Sequence, residues 1–194
     1  MKTLEIPHHE LKEFFIEQLR QKTLLTKAFN GITIGILIIF CIMIGYSFLQ
    51  LFLSNANPEF SLFMVGLGLL CIPFLIIIHE LIHGIAYIIC GARNVYFGHE
   101  IKKFLFYAAS DNHIVTGKQL AFIALLPLFV IGVILLGLMI LDTTHLNAYL
   151  SLFCFHIISC GGDIAAVNFL LLHGIDNVAT KDVKQTRMTY YYIS

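Results

Sequence analysis

The run Phe74-Leu75-Ile76-Ile77-Ile78-His79-Glu80-Leu81-Ile82-His83-Gly84-Ile85-Ala86-Tyr87-Ile88-Ile89-Cys90 decides how the rest of the chain is read. It is apolar enough for the middle of a bilayer, yet it carries two histidines and a glutamate. Ionisable side chains inside a membrane span are costly, and they mark functional sites by default. The whole chain suits that setting. Of its 194 residues, 58% are hydrophobic and 12% charged, against about 25% charged in soluble domains. Disorder needs low hydrophobicity and high charge, and is excluded. Twelve Lys and Arg balance 12 Asp and Glu, so the basic excess of a nucleic-acid binder is missing. A polytopic membrane protein with one compact transmembrane domain remains.

Four stretches reach the roughly 20 residues that a crossing requires. They run from about Gly31 to Leu53, Ser61 to Cys90, Leu120 to Leu141 and Leu146 to Leu172. Asn57 and Pro58 mark one turn; Asp142, Thr143 and Thr144 mark another. Basic residues then give orientation. Lys2, Lys12, Arg20, Lys22 and Lys27 precede the first span, and Lys181, Lys184 and Arg187 follow the last. Arg93, Lys102, Lys103 and Lys118 fill the loop 91–119, while the loops 54–60 and 142–145 have none. The positive-inside rule puts both termini and loop 91–119 in the cytoplasm of a multi-pass cell-membrane protein. The expected division is a cytoplasmic amphipathic segment, 1–30, a four-span domain, 31–172, and a cytoplasmic tail, 173–194.

The first 30 residues are charged and lack the apolar core of a signal peptide. Within them Leu11, Phe14, Phe15 and Leu19 share one helical face, away from Lys12, Glu13, Glu17 and Arg20. Such a helix can lie on the membrane surface or pack on loop 91–119. The cysteines, Cys41, Cys71, Cys90, Cys154 and Cys160, form no CxxC pair and read as small buried hydrophobes.

The spacing of the polar residues in the opening run has a direct meaning. His79 and His83 are one helical turn apart, on one face, about 6 Å along the axis. Two imidazoles so placed can hold one tetrahedral zinc ion, Zn2+. Glu80 stands beside the first of them, where a carboxylate can take a proton from an activated water and return it to a leaving amine. Two other readings stay open: a polar knot that pins helix packing, and a metal site without catalysis.

Zinc needs a third protein ligand, and Asp163 in Ser159-Cys160-Gly161-Gly162-Asp163 is the best candidate. Counted from the cytoplasmic ends of their spans, His79, His83 and Asp163 all lie about 10–17 Å deep at 1.5 Å per residue. Gly161 and Gly162 permit close approach or local unwinding there. The competing reading is a lone acid bonded to a neighbouring Ser or His. His156, two turns before Asp163, is either an auxiliary ligand or a satisfied interhelical histidine. Asn168 is either a helix-packing amide or a substrate-positioning group. His99, Glu100, Asp111, His113, His173 and Asp176 read as interfacial or cytoplasmic. His8-His9-Glu10 lacks a second histidine at the needed spacing. Loop 91–119 holds Val95-Tyr96-Phe97 and Phe104-Leu105-Phe106-Tyr107, and it is long for a structureless connection. A hairpin or re-entrant segment would account for it, serving as an edge for a substrate strand or as an aromatic belt.

The sequence HELIHG at 79–84, Phe97-Gly98, Tyr107-Ala108, Ala124 to Pro127 and Gly162-Asp163 resembles a bacterial family of small, membrane-embedded zincin peptidases, long carried as a domain of unknown function. The resemblance covers about Ser61 to Leu172 and implies an intramembrane metallopeptidase. The layout is similar, more distantly, to site-2 proteases. That likeness matches His79, His83 and Asp163 to metal ligands and Glu80 to the base. It departs in placing Gly162 before Asp163 and Asn168 after it. Ala86 and Ile89 occupy the positions of the Gly and third His of soluble metzincins, which are excluded.

The expected fold is all-α and membrane-embedded. It has four transmembrane helices, an N-terminal amphipathic helix, and a short interfacial hairpin or re-entrant loop between spans 2 and 3. The expected activity is zinc-dependent cleavage of a membrane-associated protein or peptide. The lipid bilayer is a partner and nucleic acid is not. A non-catalytic scaffold or pseudoprotease that binds a partner's transmembrane helix is the alternative. A transporter would call for a ladder of sites or a duplicated half, and neither is visible.

Overall fold

A computed structural model of the chain describes residues 2–50, 52, 62–100 and 105–194. The first expected turn, Asn57 and Pro58, and the residues Leu53, Ser61, Lys102, Lys103 and Phe104 lie outside the described residues. Among the described residues, four stretches are long and apolar enough to cross a membrane: Leu24–Gln50, Ile72–Ile89, Gly117–Leu141 and Thr143–His173. Along the first, Ile32, Ile34, Ile38, Ile39 and Ile42 are each at least half exposed. Such a face suits lipid and would be a liability in water.

Two of the expected spans are broken. Where one long run was read, α3 (Leu62–Leu70) stops and α4 (Ile72–Ile89) begins after Cys71. Pro73 explains the restart, since it has no N–H to donate and its ring crowds the carbonyl four residues back. The last run is likewise α6 (Leu146–Ser159) and α7 (Gly161–His173), parted at Cys160. The remaining helices are α1 (Leu11–Arg20), α2 (Leu24–Gln50) and α5 (Gly117–Leu141).

The all-α expectation is corrected by strands at both ends of the chain and in loop 91–119. β1 (Lys2–Pro7), β4 (Ile114–Thr116), β5 (Val178–Val183) and β6 (Met188–Ile193) form one antiparallel sheet in the order β1-β6-β5-β4. β2 (Val95–Glu100) and β3 (Leu105–Ser110) form a separate antiparallel pair, so of the two forms expected for this loop the hairpin is the one present. The tail makes strands because Met188-Thr189-Tyr190-Tyr191-Tyr192-Ile193 alternates inward Thr189 and Tyr191 with outward neighbours, in residue types that favour a pleated surface. Arg187, at φ +54°, closes the turn into it.

The chain forms two compact units. The first gathers residues 1–27, 78–127 and 161–194. Its core joins Ile6, Leu11, Tyr87, Val115, Ile123, Phe169, Leu170, Val178 and Tyr191. The amphipathic face of α1 is turned into this core: Phe14 meets Phe169 at 5.4 Å and Tyr191 at 5.6 Å between ring centroids. The second unit gathers residues 28–77 and 128–160. There Gly68 of α3 allows close approach to α6, because a Cβ would stand 2.8 Å from that of Ser151. Buried Asn147 donates to Ser47 Oγ at 2.8 Å, a polar tie between apolar helices. Asp142 caps the turn ahead of α6, accepting from the Thr144 N–H at 3.1 Å.

Within the first unit, Asp182 of β5 is almost enclosed. It accepts from Thr189 Oγ1 at 2.5 Å, and His8 Nε2 stands 3.8 Å away. Burial pushes its carboxyl up from 3.8 to about 6. Burial, and next the Asp182 charge, also raise the Tyr96 and Tyr191 phenols. A raised carboxyl pKa means that folding favours the neutral acid. The contribution is therefore full below the ordinary value and is lost as pH climbs through about 6. Asp182→Asn should remove roughly 3 kcal/mol of stability change over that interval. Unfolding curves of both proteins between pH 3.5 and 7 check this, and parallel pH profiles would refute it.

Candidate metal centre

The residues 79–84 fall inside continuous helix α4, so the i, i+4 geometry expected for His79 and His83 is realised. Asp163 stands in the first turn of α7, just after the break at Cys160. A helix N-terminus suits a carboxylate, because free backbone N–H groups and the helix dipole favour negative charge there.

Three side chains converge. His79 Nε2 and His83 Nε2 are 3.0 Å apart. Asp163 Oδ2 is 3.2 Å from His79 Nε2, and Oδ1 is 3.1 Å from His83 Nε2. The side chains of His79, His83 and Asp163 are 8%, 10% and 14% exposed. His83 Nδ1 lies 2.9 Å from the Ile123 carbonyl of α5. A ring nitrogen facing a carbonyl must carry the proton, so in the neutral ring Nε2 presents its lone pair. That lone pair then faces a carboxylate oxygen, and two lone pairs at 3.1 Å repel unless a proton or a metal ion serves both.

A zinc ion meets that need. Tetrahedral bonds of about 2.0–2.2 Å set neighbouring donors roughly 3.3–3.5 Å apart, within a few tenths of an ångström of the three separations here. Two imidazoles and one carboxylate are also the donor set of known catalytic zinc sites. Glu80 projects beside the trio. Its Oε2 is buried with no hydrogen-bond partner among the described residues, and the Ala108 backbone N–H is directed at its carboxylate.

The hairpin is held against α4 by a close approach. A Cβ on Gly84 would meet Phe97 Cζ at 2.9 Å, so glycine after the second histidine makes room for β2. Asp111 N–H donates to Asn94 O at 2.9 Å, which sets the phase of pairing. In that phase the N–H and C=O of Phe106 and Ala108 point away from β2, along the edge of β3 that no other strand pairs among the described residues, with the Ala108 N–H turned to Glu80. Tyr107, on the opposite face, lies across Gly98, and its hydroxyl is bonded to His8 Nδ1 at 2.9 Å.

The other sequence candidates have contacts of their own. His156 is fully buried in the second unit, its ring 3.9 Å from Cys160 Sγ. Asn168 is fully buried in α7, where Nδ2 donates to Gln18 O at 3.0 Å and Oδ1 accepts from Thr23 Oγ1 at 2.6 Å. That amide clamps the end of α1 and the turn into α2. His99 is exposed, and Asp176 pairs with Lys118 at 2.7 Å on the surface. Sequence reasoning missed the Ile123 carbonyl and the Ala108 N–H, because backbone groups carry no residue signature. It also set aside His8, which is buried and bonded.

A family model described as "Putative zincin peptidase" matches residues 72–174, just over half of the chain. No curated protein and no solved structure matches it.

Asp163→Ala should lower bound zinc well below one ion per chain, read by metal analysis of purified protein. Unchanged stoichiometry would remove Asp163 from the ligand set. Asn168→Leu should cost about 1–3 kcal/mol in unfolding free energy, because it strands the Gln18 carbonyl, while zinc content stays intact.

Proposed function

The chain belongs to the family described as "Putative zincin peptidase", and from that membership we propose that it is a zinc-dependent intramembrane peptidase acting on a membrane-associated protein or peptide. The observation that carries the reading is the convergence of His79, His83 and Asp163 within 3.2 Å of one another, beside Glu80 and on apolar helices.

His79 Nε2, His83 Nε2 and an oxygen of Asp163 would hold the ion. When bound, zinc supplies Lewis acidity, polarising the scissile carbonyl and making a water nucleophilic at neutral pH. Glu80 takes the proton of the attacking water and returns it to the leaving amine. Its Oε2, without a hydrogen-bond partner among the described residues, offers the lone pair that this step uses. The outer edge of β3 around Phe106 takes an extended substrate segment as an added strand, which sets the scissile bond beside Glu80. A transmembrane helix must unwind locally to bind in this way, so substrates with helix-breaking residues near the cut are favoured.

Strand pairing supports the orientation. Lys2 pairs with Ile193, and Ile114 with Lys181. Both termini and the loop after α4 therefore share one side of any membrane that the helices cross. The basic residues of those segments make that side the cytoplasm.

Glu80→Gln should keep one zinc per chain and lower cleavage of a co-reconstituted membrane substrate by about 10²–10⁴-fold, the usual worth of a general base. Cleavage at the wild-type rate would remove Glu80 from the reaction. A phenotype that survives both Glu80→Gln and loss of zinc would favour a scaffold.

A further inference from the structure

The carbonyl that orients His83 is available for a reason written in the sequence. In an α-helix the Ile123 carbonyl accepts from the N–H of residue 127. Residue 127 is Pro127, inside α5, and it has no N–H. The orphaned carbonyl belongs to Ile123, itself 3% exposed, in a stretch apolar enough to cross a membrane. For a buried carbonyl a neighbouring side chain is the donor to look for. His83 Nδ1 is at 2.9 Å from that oxygen.

We propose that Pro127 is a positioning residue of the metal centre: by withholding its N–H it reserves the Ile123 carbonyl for His83, which fixes the ring's rotation and keeps the proton on Nδ1. The consequence reaches the ligand atom. With Nδ1 protonated, Nε2 offers its lone pair toward His79 and Asp163. A histidine free to change tautomer would present Nε2–H for part of the time and could not bind a metal through that atom. Orientation of this kind is commonly worth 10–100-fold in metal affinity. Fully buried Pro127 also follows Ala124, Leu125 and Leu126 without any polar side chain of its own, so its action runs through the backbone.

The idea uses the zinc reading for the identity of the ion, but the tautomer lock exists without it. The test is Pro127→Ala in the full chain, in detergent, with two readouts. The variant regains the N–H, which competes for Ile123, and loses a helix-breaking ring. Apo protein should therefore melt at a higher temperature than wild type, while zinc affinity falls about 10–100-fold. A proline that only bends the helix predicts the higher melting temperature with unchanged affinity, and that result would overturn the proposal. The second readout is the imidazole nitrogen spectrum of His83 in metal-free protein, with His83→Gln to identify its signals. Wild type should show protonated Nδ1, and the alanine variant a mixture of tautomers. Should the variant fail to fold, the wild-type spectrum decides, since a proton on Nε2 there overturns the proposal. A wild-type chain that binds no zinc sinks the peptidase reading, and the tautomer result still judges the role of Pro127.

Discussion

Two imidazoles and a carboxylate within 3.2 Å of one another, on helices apolar enough for a bilayer, are the constraint around which the first unit is arranged. In hydrocarbon each group alone would be strongly unfavourable. Together they form a negative, electron-rich pocket whose natural counterpart is a cation. The cost of parting them is the cost of stranding a buried charge, so the surrounding chain has to hold α4 and α7 in register at that depth.

The rest of that unit can be understood as the holding frame. Asp163 enters at the start of a helix that Asn168 ties to the end of α1 through Gln18 and Thr23. The aromatic face of α1 locks onto Phe169 and Tyr191. β1 and β6 bring the two chain ends together on the same core. The hairpin rests on Gly84 from one side and is gripped at Tyr107 by His8 from the other. Each contact is ordinary in strength. What matters is that they bracket the site from elements far apart in the chain, so the donor atoms do not depend on any single loop.

Much of this was legible before any coordinates. The pair of histidines on one helical face, the adjacent Glu80 and the long apolar helices follow from periodicities of 3.6 and lengths near 20 residues, which are local properties. The strands were less legible. A six-residue β1 and a tail outside the apolar runs have little hydrophobic pattern of their own, and their pairing partners are nearly the whole chain away. The aromatic run Tyr190-Tyr191-Tyr192 was the available signal, and it reads as a strand only once a partner edge is known. The break at Cys71 was also open to sequence reasoning, through Pro73.

The sequence by itself determined that long apolar helices form and that His79 and His83 share one helical face, because hydropathy and a four-residue spacing belong to single segments. Only the tertiary structure decided which oxygen faces which nitrogen, that His8 is a buried prop and not a ligand, and that Ile123 orients His83. Those are contacts between residues up to 99 positions apart, and the one to Ile123 runs through a backbone atom. Backbone N–H and C=O groups are the same in every residue but proline. Pro127 is therefore a place where a side-chain identity announces in the sequence what the folded backbone leaves free.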